Sequence, residues 1–340
     1  MEELAFLDLP DGRTLIGRGP FTRRESAPDG GVAFYRNDFG LTSPAPWWVP
    51  GDWEIVPRGE AADFLGGADH GREVAPPVCH WEAPDASAFA AVFQEISAAI
   101  RTGAFEKTVP VVVERGLLEE TPGRWLLAMA AASDAPLTGY GFCSGNEGFA
   151  GASPEGLLSV TGGVLKTMAL AGTARTEERD VLEVDEKEIR EHEYVAQSLV
   201  SKLSDIGHVR RGPRGIMELR SIVHFHTPIE VDLTGSETPE SLVRRLHPTP
   251  ALGPLPRTLG TMDQLISWRR RLGTPMEFGA PFGAMVDGAF HAIVMIRGLW
   301  WRGTELLLPA GCGVIEASRL VNEWRELRLK REAVKARFGL

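Results

Sequence analysis

The chain has 340 residues, 43% of them hydrophobic and 24% charged, a composition that fits one large globular domain or two smaller ones. Its formal net charge of -10 argues against a nucleic-acid partner, because proteins that bind phosphate backbones concentrate Lys and Arg. Cys79, Cys143 and Cys312 are widely spaced and include no CxxC pair, so neither a disulfide framework nor a zinc site is indicated.

The first 80 residues predict an irregular, β-rich segment. They are rich in Gly, Pro, Asp and Trp, with short strand-like runs at residues 31–35 and 53–56 between turn signals. The chain start lacks a signal-peptide pattern, and no stretch reaches the roughly 18 apolar residues of a membrane span. We therefore expect a cytoplasmic protein without a membrane partner. The pattern changes after residue 80, which divides the chain into an N-terminal part, 1–80, and a main part, 81–340.

Residues 81–340 predict alternating helices and strands. Helical spacing of apolar residues indicates helices at 88–100, 182–204, 260–272 and from about 319 onward, with a short one before 246. Apolar and β-branched runs indicate strands at 108–113, 138–142, 156–160, 164–168, 222–225, 229–233, 284–286, 289–297 and 306–308. Because no internal repeat is visible, we expect mixed antiparallel α+β architecture rather than a wound parallel sheet.

Two of the predicted helices each carry a pair of carboxylates. Glu188 and Glu191 are three residues apart, as are Glu323 and Glu326, and at that spacing side chains share one helix face. If the two faces meet, the four carboxylates need a cation such as Mg²⁺, which binds a few oxygen ligands. The alternative is two solvated faces with Glu–Lys pairs, and the spacing alone favours it.

Two further residues are candidates for acid–base chemistry. Lys107 stands at the entrance of an apolar strand, where partial burial lowers a lysine pKa toward that of a general base. Glu155 follows the turn GASP, where a partly desolvated carboxyl has the raised pKa of a general acid. Taken alone, each is more often a lysine that marks a strand end or a loop glutamate.

Three features predict contacts with an anion. Arg297 interrupts an apolar strand, and a buried guanidinium needs a partner, either a substrate carboxylate or a glutamate. The loop AGCG at residues 310–313, between a strand and a helix, allows backbone N–H groups to approach an anion, although glycine-rich loops are common. His224 can hydrogen-bond a carboxyl, but a histidine near a strand more often has a structural role.

Nine segments, taken in order, resemble the chorismate-binding enzyme family, which includes isochorismate synthases, salicylate synthases, anthranilate synthase component I and aminodeoxychorismate synthase. They are GAFEKTVP, GASPEGL, ALAGTAR, DEKEIREHE, IVHF, LHPTPALGPLP, IR, AGCG and NEWRELRLK, between about residues 88 and 335. The first 80 residues match weakly and look shorter than usual. The resemblance implies two antiparallel sheets packed face to face with helices outside and an active site in a deep cleft.

The resemblance also implies roles for individual residues. Lys107 falls on the general base of members that use water, where members that use ammonia typically carry Gln, and Glu155 falls on the acid that protonates the C4 hydroxyl. Glu191 and Glu326 match the direct Mg²⁺ ligands, with Glu188 and Glu323 the other acidic positions. The remaining matched positions would bind the substrate chorismate: Gly172, Thr173, His224, Ala251, Arg297, Gly311, Gly313 and Lys330.

The loop LHPTPALGPLP bears on the product. By resemblance, isochorismate synthases carry Ala where this chain has Ala251, whereas enzymes that eliminate pyruvate tend to carry Thr. This predicts isochorismate synthesis, with a salicylate synthase-type lyase as the next alternative. Three departures from the family, Gly156 for Arg, Phe278 for Tyr and Pro254 for Gly, keep open a third, a non-catalytic chorismate-binding homologue.

The use of water rather than ammonia has a consequence for partners. We expect no glutaminase subunit and a monomer or homodimer. The sequence leaves open whether the product enters menaquinone, siderophore or salicylate synthesis.

Overall fold

The computed structural model describes residues 3–66, 77–122, 124–219 and 222–340. Its strands are β1 (Leu4–Asp8), β2 (Arg13–Arg18), β3 (Thr22–Arg24), β4 (Ala33–Arg36), β5 (Trp47–Val49), β6 (Asp52–Pro57), β7 (Cys79–Glu82), β8 (Val111–Leu118), β9 (Thr138–Ser144), β10 (Glu147–Ser153), β11 (Gly156–Thr161), β12 (Val164–Arg175), β13 (Gly207–Arg211), β14 (Gly215–Leu219), β15 (Ile222–Leu233), β16 (Pro281–Val286), β17 (Ala289–Val294), β18 (Gly298–Arg302) and β19 (Glu305–Gly311). Its helices are α1 (Ala61–Gly66), α2 (Ala86–Arg101), α3 (Trp125–Ala131), α4 (Arg179–Val184), α5 (Glu186–Leu203), α6 (Pro239–Leu246), α7 (Leu259–Arg271) and α8 (Leu320–Phe338).

The strands form two antiparallel sheets that pack face to face. In the described part of the chain, the first sheet has the order β6-β2-β1-β9-β10-β18-β19-β8-β7 and the second the order β13-β15-β12-β11-β17-β16-β4-β5-β3, with β14 also paired to β15. Phe149 of the first sheet and Phe282 of the second meet edge to face, with ring centroids 5.5 Å apart, in one buried cluster. The predicted α+β class, two packed antiparallel sheets with helices, is confirmed.

The helices bury their apolar stripes against these sheets. Val195, Leu199 and Leu203 of α5, the stripe predicted from helical spacing, are fully buried in the same core as β12 and β15. Such a stripe is what a helix of 3.6 residues per turn needs to cover a sheet. It leaves the opposite, acidic face of α5 free to approach the start of α8.

The N-terminal strands complete both sheets. β1, β2 and β6 extend the first sheet, whereas β3, β4 and β5 form one end of the second. The predicted division at residue 80 stays a prediction, and residues 67–76 beside it lie outside the described part of the chain.

Two elements differ from their predicted form. The helix predicted at 182–204 is interrupted at Asp185, whose side chain accepts a hydrogen bond from the Glu188 backbone N–H and caps α5. The strands predicted at 222–225 and 229–233 are one strand, β15, that continues through Pro228. Proline is tolerated because β14 pairs with residues 222–226 and β13 with 229–233, so no ladder donor is required between them.

Two further boundaries differ at the cleft. β17 ends at Val294, so Arg297 lies in the turn before β18 rather than in the predicted strand 289–297. β8 begins at Val111, so Lys107 lies in a separate segment before it. Among the described residues, no helix is both long and apolar enough to cross a membrane.

Candidate active site

A cavity opens where β12, β15 and β19 meet the facing helices α5 and α8. Its empty space is about 660 Å³ when the open solvent at its mouth is included. The lining residues are Pro154, Glu155, Leu170, Ala171, Gly172, Thr173, Glu191, His224, Ala251, Leu252, Phe278, Ile296, Arg297, Pro309, Ala310, Gly311, Gly313, Glu326 and Lys330. Most of the predicted site residues therefore share one cavity, while Lys107, Glu188 and Glu323 lie behind its wall.

Lys107 is fully buried in a segment held by backbone hydrogen bonds on both sides. The amide of Leu255 donates to the Lys107 carbonyl at 2.8 Å, and Thr108 and Val314 exchange two more such bonds. The Lys107 Nζ donates to the Pro250 carbonyl and lies 3.4 Å from Glu191 Oε1. Burial lowers the pKa of Lys107, although the Glu191 charge acts in the opposite direction.

Gly313 brings the cavity wall close to this lysine. A Cβ atom built on Gly313 would lie 1.8 Å from Glu191 Oε1 and 3.0 Å from Lys107 Cε. A side chain at this position would therefore displace the Lys107–Glu191 pair, and only glycine fits.

Glu155 lies on the cavity wall between β10 and β11 and is 2% exposed. Burial raises its pKa to about 7, while the Thr249 hydroxyl, which donates to Oε1 at 2.9 Å, and the Lys107 charge act to lower it. Glu155 is thus a carboxyl that holds its proton near neutral pH, as a general acid must. Sequence reasoning missed Thr249, although it stands two residues before Ala251 in the loop that was singled out.

The two acidic helix faces do meet. Glu188 and Glu191 of α5 approach Glu323 and Glu326 of α8, and the Lys187 ammonium lies among them. Its Nζ is 2.8 Å from Glu188 Oε1, 3.1 Å from Glu191 Oε2 and 3.4 Å from Glu323 Oε1. The structure therefore favours convergence over the alternative of two solvated faces.

The charges of this cluster perturb one another. Burial and Glu191 raise the pKa of Glu188 to about 7, and burial, opposed by Lys187, raises that of Glu323 to about 8. Burial alone would raise the pKa of Glu191, but Lys187 and Lys107 lower it to about 2. Glu323 Oε2 is buried without a hydrogen-bond partner. The cluster thus holds more negative charge than its lysines neutralise.

The donor set of the cluster fits a hard divalent cation. Mg²⁺ prefers carboxylate oxygens, and the unpartnered Glu323 Oε2 is a free donor of that kind. In the described residues, no three acidic, histidine or cysteine side chains form a metal-binding arrangement as they stand. The ammonium of Lys187 takes the point where three of the carboxylates converge, and sequence reasoning missed it because it looked like a partner in a surface Glu–Lys pair.

Arg297 is held over the cavity by a strained turn and a histidine. Its backbone has φ 59°, a left-handed conformation that is uncommon outside glycine. The guanidinium Nη2 donates to His224 Nε2 at 2.9 Å, and His224 Nδ1 donates to the Gly172 carbonyl at 2.9 Å. Burial and the Arg297 charge lower the pKa of His224, which is neutral with its proton on Nδ1. His224 thus orients Arg297, and Thr173 Oγ1 lies 3.0 Å from the same Nδ1.

Lys330 and the AGCG loop form the other cationic wall. Lys330 Nζ is 2.5 Å from Glu326 Oε1 and donates to the Gly311 carbonyl at 2.9 Å. The loop lies between a strand and a helix as predicted, and α8 begins at Leu320, near the predicted start at about 319. The helix dipole therefore does not reach Gly311. Lys330 rather than a helix end supplies positive charge here.

The fold and the site together define a class of proteins with two packed antiparallel sheets and a cavity flanked by a buried lysine and a buried carboxylic acid. The chain belongs to the chorismate binding enzyme family, whose model matches residues 69–338. The resemblance stated from the nine segments is thereby confirmed.

Several relatives carry isochorismate synthase in their names. Isochorismate synthase MenF of Bacillus subtilis (strain 168) is 33% identical over 227 residues, 61% of this chain and 46% of that protein. Isochorismate synthase EntC of Escherichia coli (strain K12) is 32% identical over 208 residues, 56% of this chain and 51% of that one. The chain thus spans about half the length of the curated relatives it matches.

A solved structure shares the fold over nearly the whole chain. MenF, the menaquinone-specific isochorismate synthase from Escherichia coli, superposes with a TM-score of 0.84 at 18% identity, covering 99% of this chain and 88% of that one. At this identity the match establishes the fold.

Proposed function

We propose that the protein is a magnesium-dependent isochorismate synthase that converts chorismate to isochorismate. One observation carries the proposal: Glu155 is buried in the wall of the cavity and Lys107 is buried directly behind Gly313 of that wall, and burial shifts their pKa values toward neutrality from opposite sides. A base and an acid tuned in this way suit a displacement that removes a proton at one atom and delivers one at another. The names of the relatives and the place of Ala251 in the cavity wall support the same reaction.

Lys107 acts as the general base. In its neutral form, which burial favours, Nζ accepts a proton from a water molecule that attacks C2 of the ring. Pro250 and Glu191 hold Nζ in place. Because Gly313 carries no side chain, the cavity wall comes directly against this amine.

Glu155 acts as the general acid. It gives its proton to the C4 hydroxyl, which leaves as water while the two ring double bonds shift away from C2 and toward C4. One water enters and one leaves, so the mass of the product equals that of the substrate. The hydrogen bond from Thr249 holds the carboxyl in a single orientation.

Cationic groups on two walls bind the substrate carboxylates. Arg297, oriented by His224, faces the cavity from the turn before β18, and Lys330 faces it from α8. A charged pair formed in a partly desolvated pocket is stronger than one at the surface. The Phe278 ring lines the cavity but has no hydroxyl to donate a hydrogen bond. The orientation of the substrate therefore depends on Arg297 and Lys330.

Mg²⁺ would be held by Glu191 and Glu326, with Glu188 and Glu323 in support. When bound, the metal would neutralise the ring carboxylate of chorismate and fix its orientation.

We further propose that the enzyme acts in the cytoplasm as a monomer or homodimer without a glutaminase subunit. Lys107 favours water as the nucleophile, and Cys79, Cys143 and Cys312 form no disulfide in the part of the chain that the structure describes. The names MenF and EntC support a place in menaquinone or siderophore synthesis.

The test is to incubate the purified protein with chorismate, with and without Mg²⁺, and to resolve the products by liquid chromatography with mass detection. A metal-dependent product of unchanged mass is expected. Salicylate together with pyruvate, detected by coupling to lactate dehydrogenase, would show a lyase instead. Unchanged chorismate under both conditions would overturn the enzymatic proposal.

A further inference from the structure

The Lys187 ammonium lies near the N-terminal end of its own helix, where a positive charge is unfavourable. Lys187 lies in the first turn of α5, where the partial positive charge of the helix end repels a cation. Its side chain nevertheless turns inward and is 18% exposed. The side-chain contacts that hold it there must therefore outweigh the repulsion from the helix end.

Those contacts are the carboxylates of the candidate metal cluster. One Nζ atom lies within 3.4 Å of oxygens from Glu188, Glu191 and Glu323, which come from two different helices. A divalent cation would need the same oxygens at about 2.0–2.6 Å. Two cations cannot share that point.

We propose that Lys187 is a resident counter-ion that occupies the magnesium position in the metal-free protein and leaves it when the metal binds. This inference rests on the magnesium part of the proposed function and adds to it a competition between a side chain and a metal. Without Lys187, the four converging carboxylates would face Lys107, Lys330 and, on the side of Glu326, Arg297. The ammonium thus preserves the arrangement of the two helices until the metal arrives.

The structure offers the displaced side chain a place to go. Lys187 lines a second cavity next to the first, and Glu178 and Asp185 line the same cavity nearer to solvent. A lysine has a flexible four-carbon stem and a strongly hydrated ammonium, so a swing outward needs no backbone movement. Occupation by metal would then expose the amine.

The first test measures metal affinity without substrate. Mg²⁺ is titrated by calorimetry into metal-free wild type, Lys187→Met and Lys166→Met, the last a matched control because Lys166 is exposed on β12 and pairs only with Glu230. We expect Lys187→Met to bind Mg²⁺ about tenfold more tightly or better, a difference of about 1.4 kcal/mol. Lys166→Met should match wild type. Equal or weaker binding by Lys187→Met, or no binding by either protein, would overturn the proposal.

A second measurement uses the unaltered protein, because Lys187→Met removes a charge that pairs with carboxylates of α5 and α8 and so could destabilise the fold. Wild type is treated briefly with an amine-acetylating reagent at zero and saturating Mg²⁺, and each lysine is quantified by peptide mass spectrometry. Acetylation of Lys187 should rise several-fold with Mg²⁺ while that of Lys166 stays constant. Constant labelling of Lys187 with metal bound would refute the exchange. Because neither test uses chorismate, a failure of the proposed reaction would be seen separately, in the product assay.

Discussion

The hydroxyl of Thr249 sets the proton affinity of the candidate acid, and its removal should be measurable. Thr249 donates to Glu155 Oε1 at 2.9 Å, and both residues are buried. A hydrogen bond to a charged group is worth about 1.5–3 kcal/mol. At 1.36 kcal/mol per pKa unit, its loss in Thr249→Val raises the pKa of Glu155 by about one to two units.

The assay is the pH profile of kcat/KM for isochorismate formation, which reports the essential groups of the free enzyme. Wild type should show one limb with a midpoint near pH 7, the pKa of Glu155. In Thr249→Val this limb moves to higher pH, because the lost hydrogen bond had stabilised the ionised form of Glu155. The other limb should stay where it is. Thr249→Ser keeps the hydroxyl and should resemble wild type. An unmoved limb in Thr249→Val, or an equal shift in Thr249→Ser, would refute the assignment.

Three other substitutions test neighbouring parts of the site. Lys107→Met should lower kcat by at least about 10²-fold with an unchanged circular dichroism spectrum, since a general base contributes that much; Lys166→Met is the matched control, and retained turnover would remove Lys107 from the role. Gly313→Ala should abolish turnover and destabilise the fold by about 1–3 kcal/mol in urea, because its Cβ would meet Glu191, whereas Gly215→Ala, with open space around it, should do neither. For Glu155→Gln, the free energy of unfolding relative to wild type should rise by about 3 kcal/mol as the pH goes from 4.5 to above 7. The pKa of Glu155 in the folded state is about 7, above the ordinary 4.5, so folded wild type holds a proton that the unfolded chain has lost. Wild type therefore loses stability over that pH window, whereas the glutamine variant does not. A pH-independent difference in urea melts would contradict it.

The sequence predicts most of the elements that carry strong periodicity. The stripe on α5 follows from the 3.6-residue repeat of apolar side chains. The strands predicted from apolar runs at 138–142, 156–160 and 164–168 are found as β9, β11 and the first part of β12, which continues to Arg175. The sequence predicts the course of a strand poorly where pairing with distant strands determines it. The path of β15 through Pro228 depends on which neighbours pair on either side, and no local pattern contains that information.

The site residues also divide into those that local spacing predicts and those that only tertiary packing brings together. The spacing of Glu188 and Glu191 predicts a shared helix face, but only packing brings that face against α8. His224 looked like a ligand for a carboxyl, whereas the structure engages both of its nitrogens with Arg297 and Gly172. Lys187 and Thr249 were missed because only their contacts in the folded chain indicate a role. Lys187 lies among carboxylates of two helices, and the Thr249 hydroxyl donates a hydrogen bond to Glu155.

The segment that carries Lys107 is tied to the two loops beside it through main-chain atoms. Leu255 and Val314 pair with Lys107 and Thr108 by backbone bonds, which any amino acid other than proline can make. An exchange of a side chain such as Ala251 would leave these main-chain bonds in place. The path of the main chain at Lys107 is thus set independently of the side chains that line the cavity beside it.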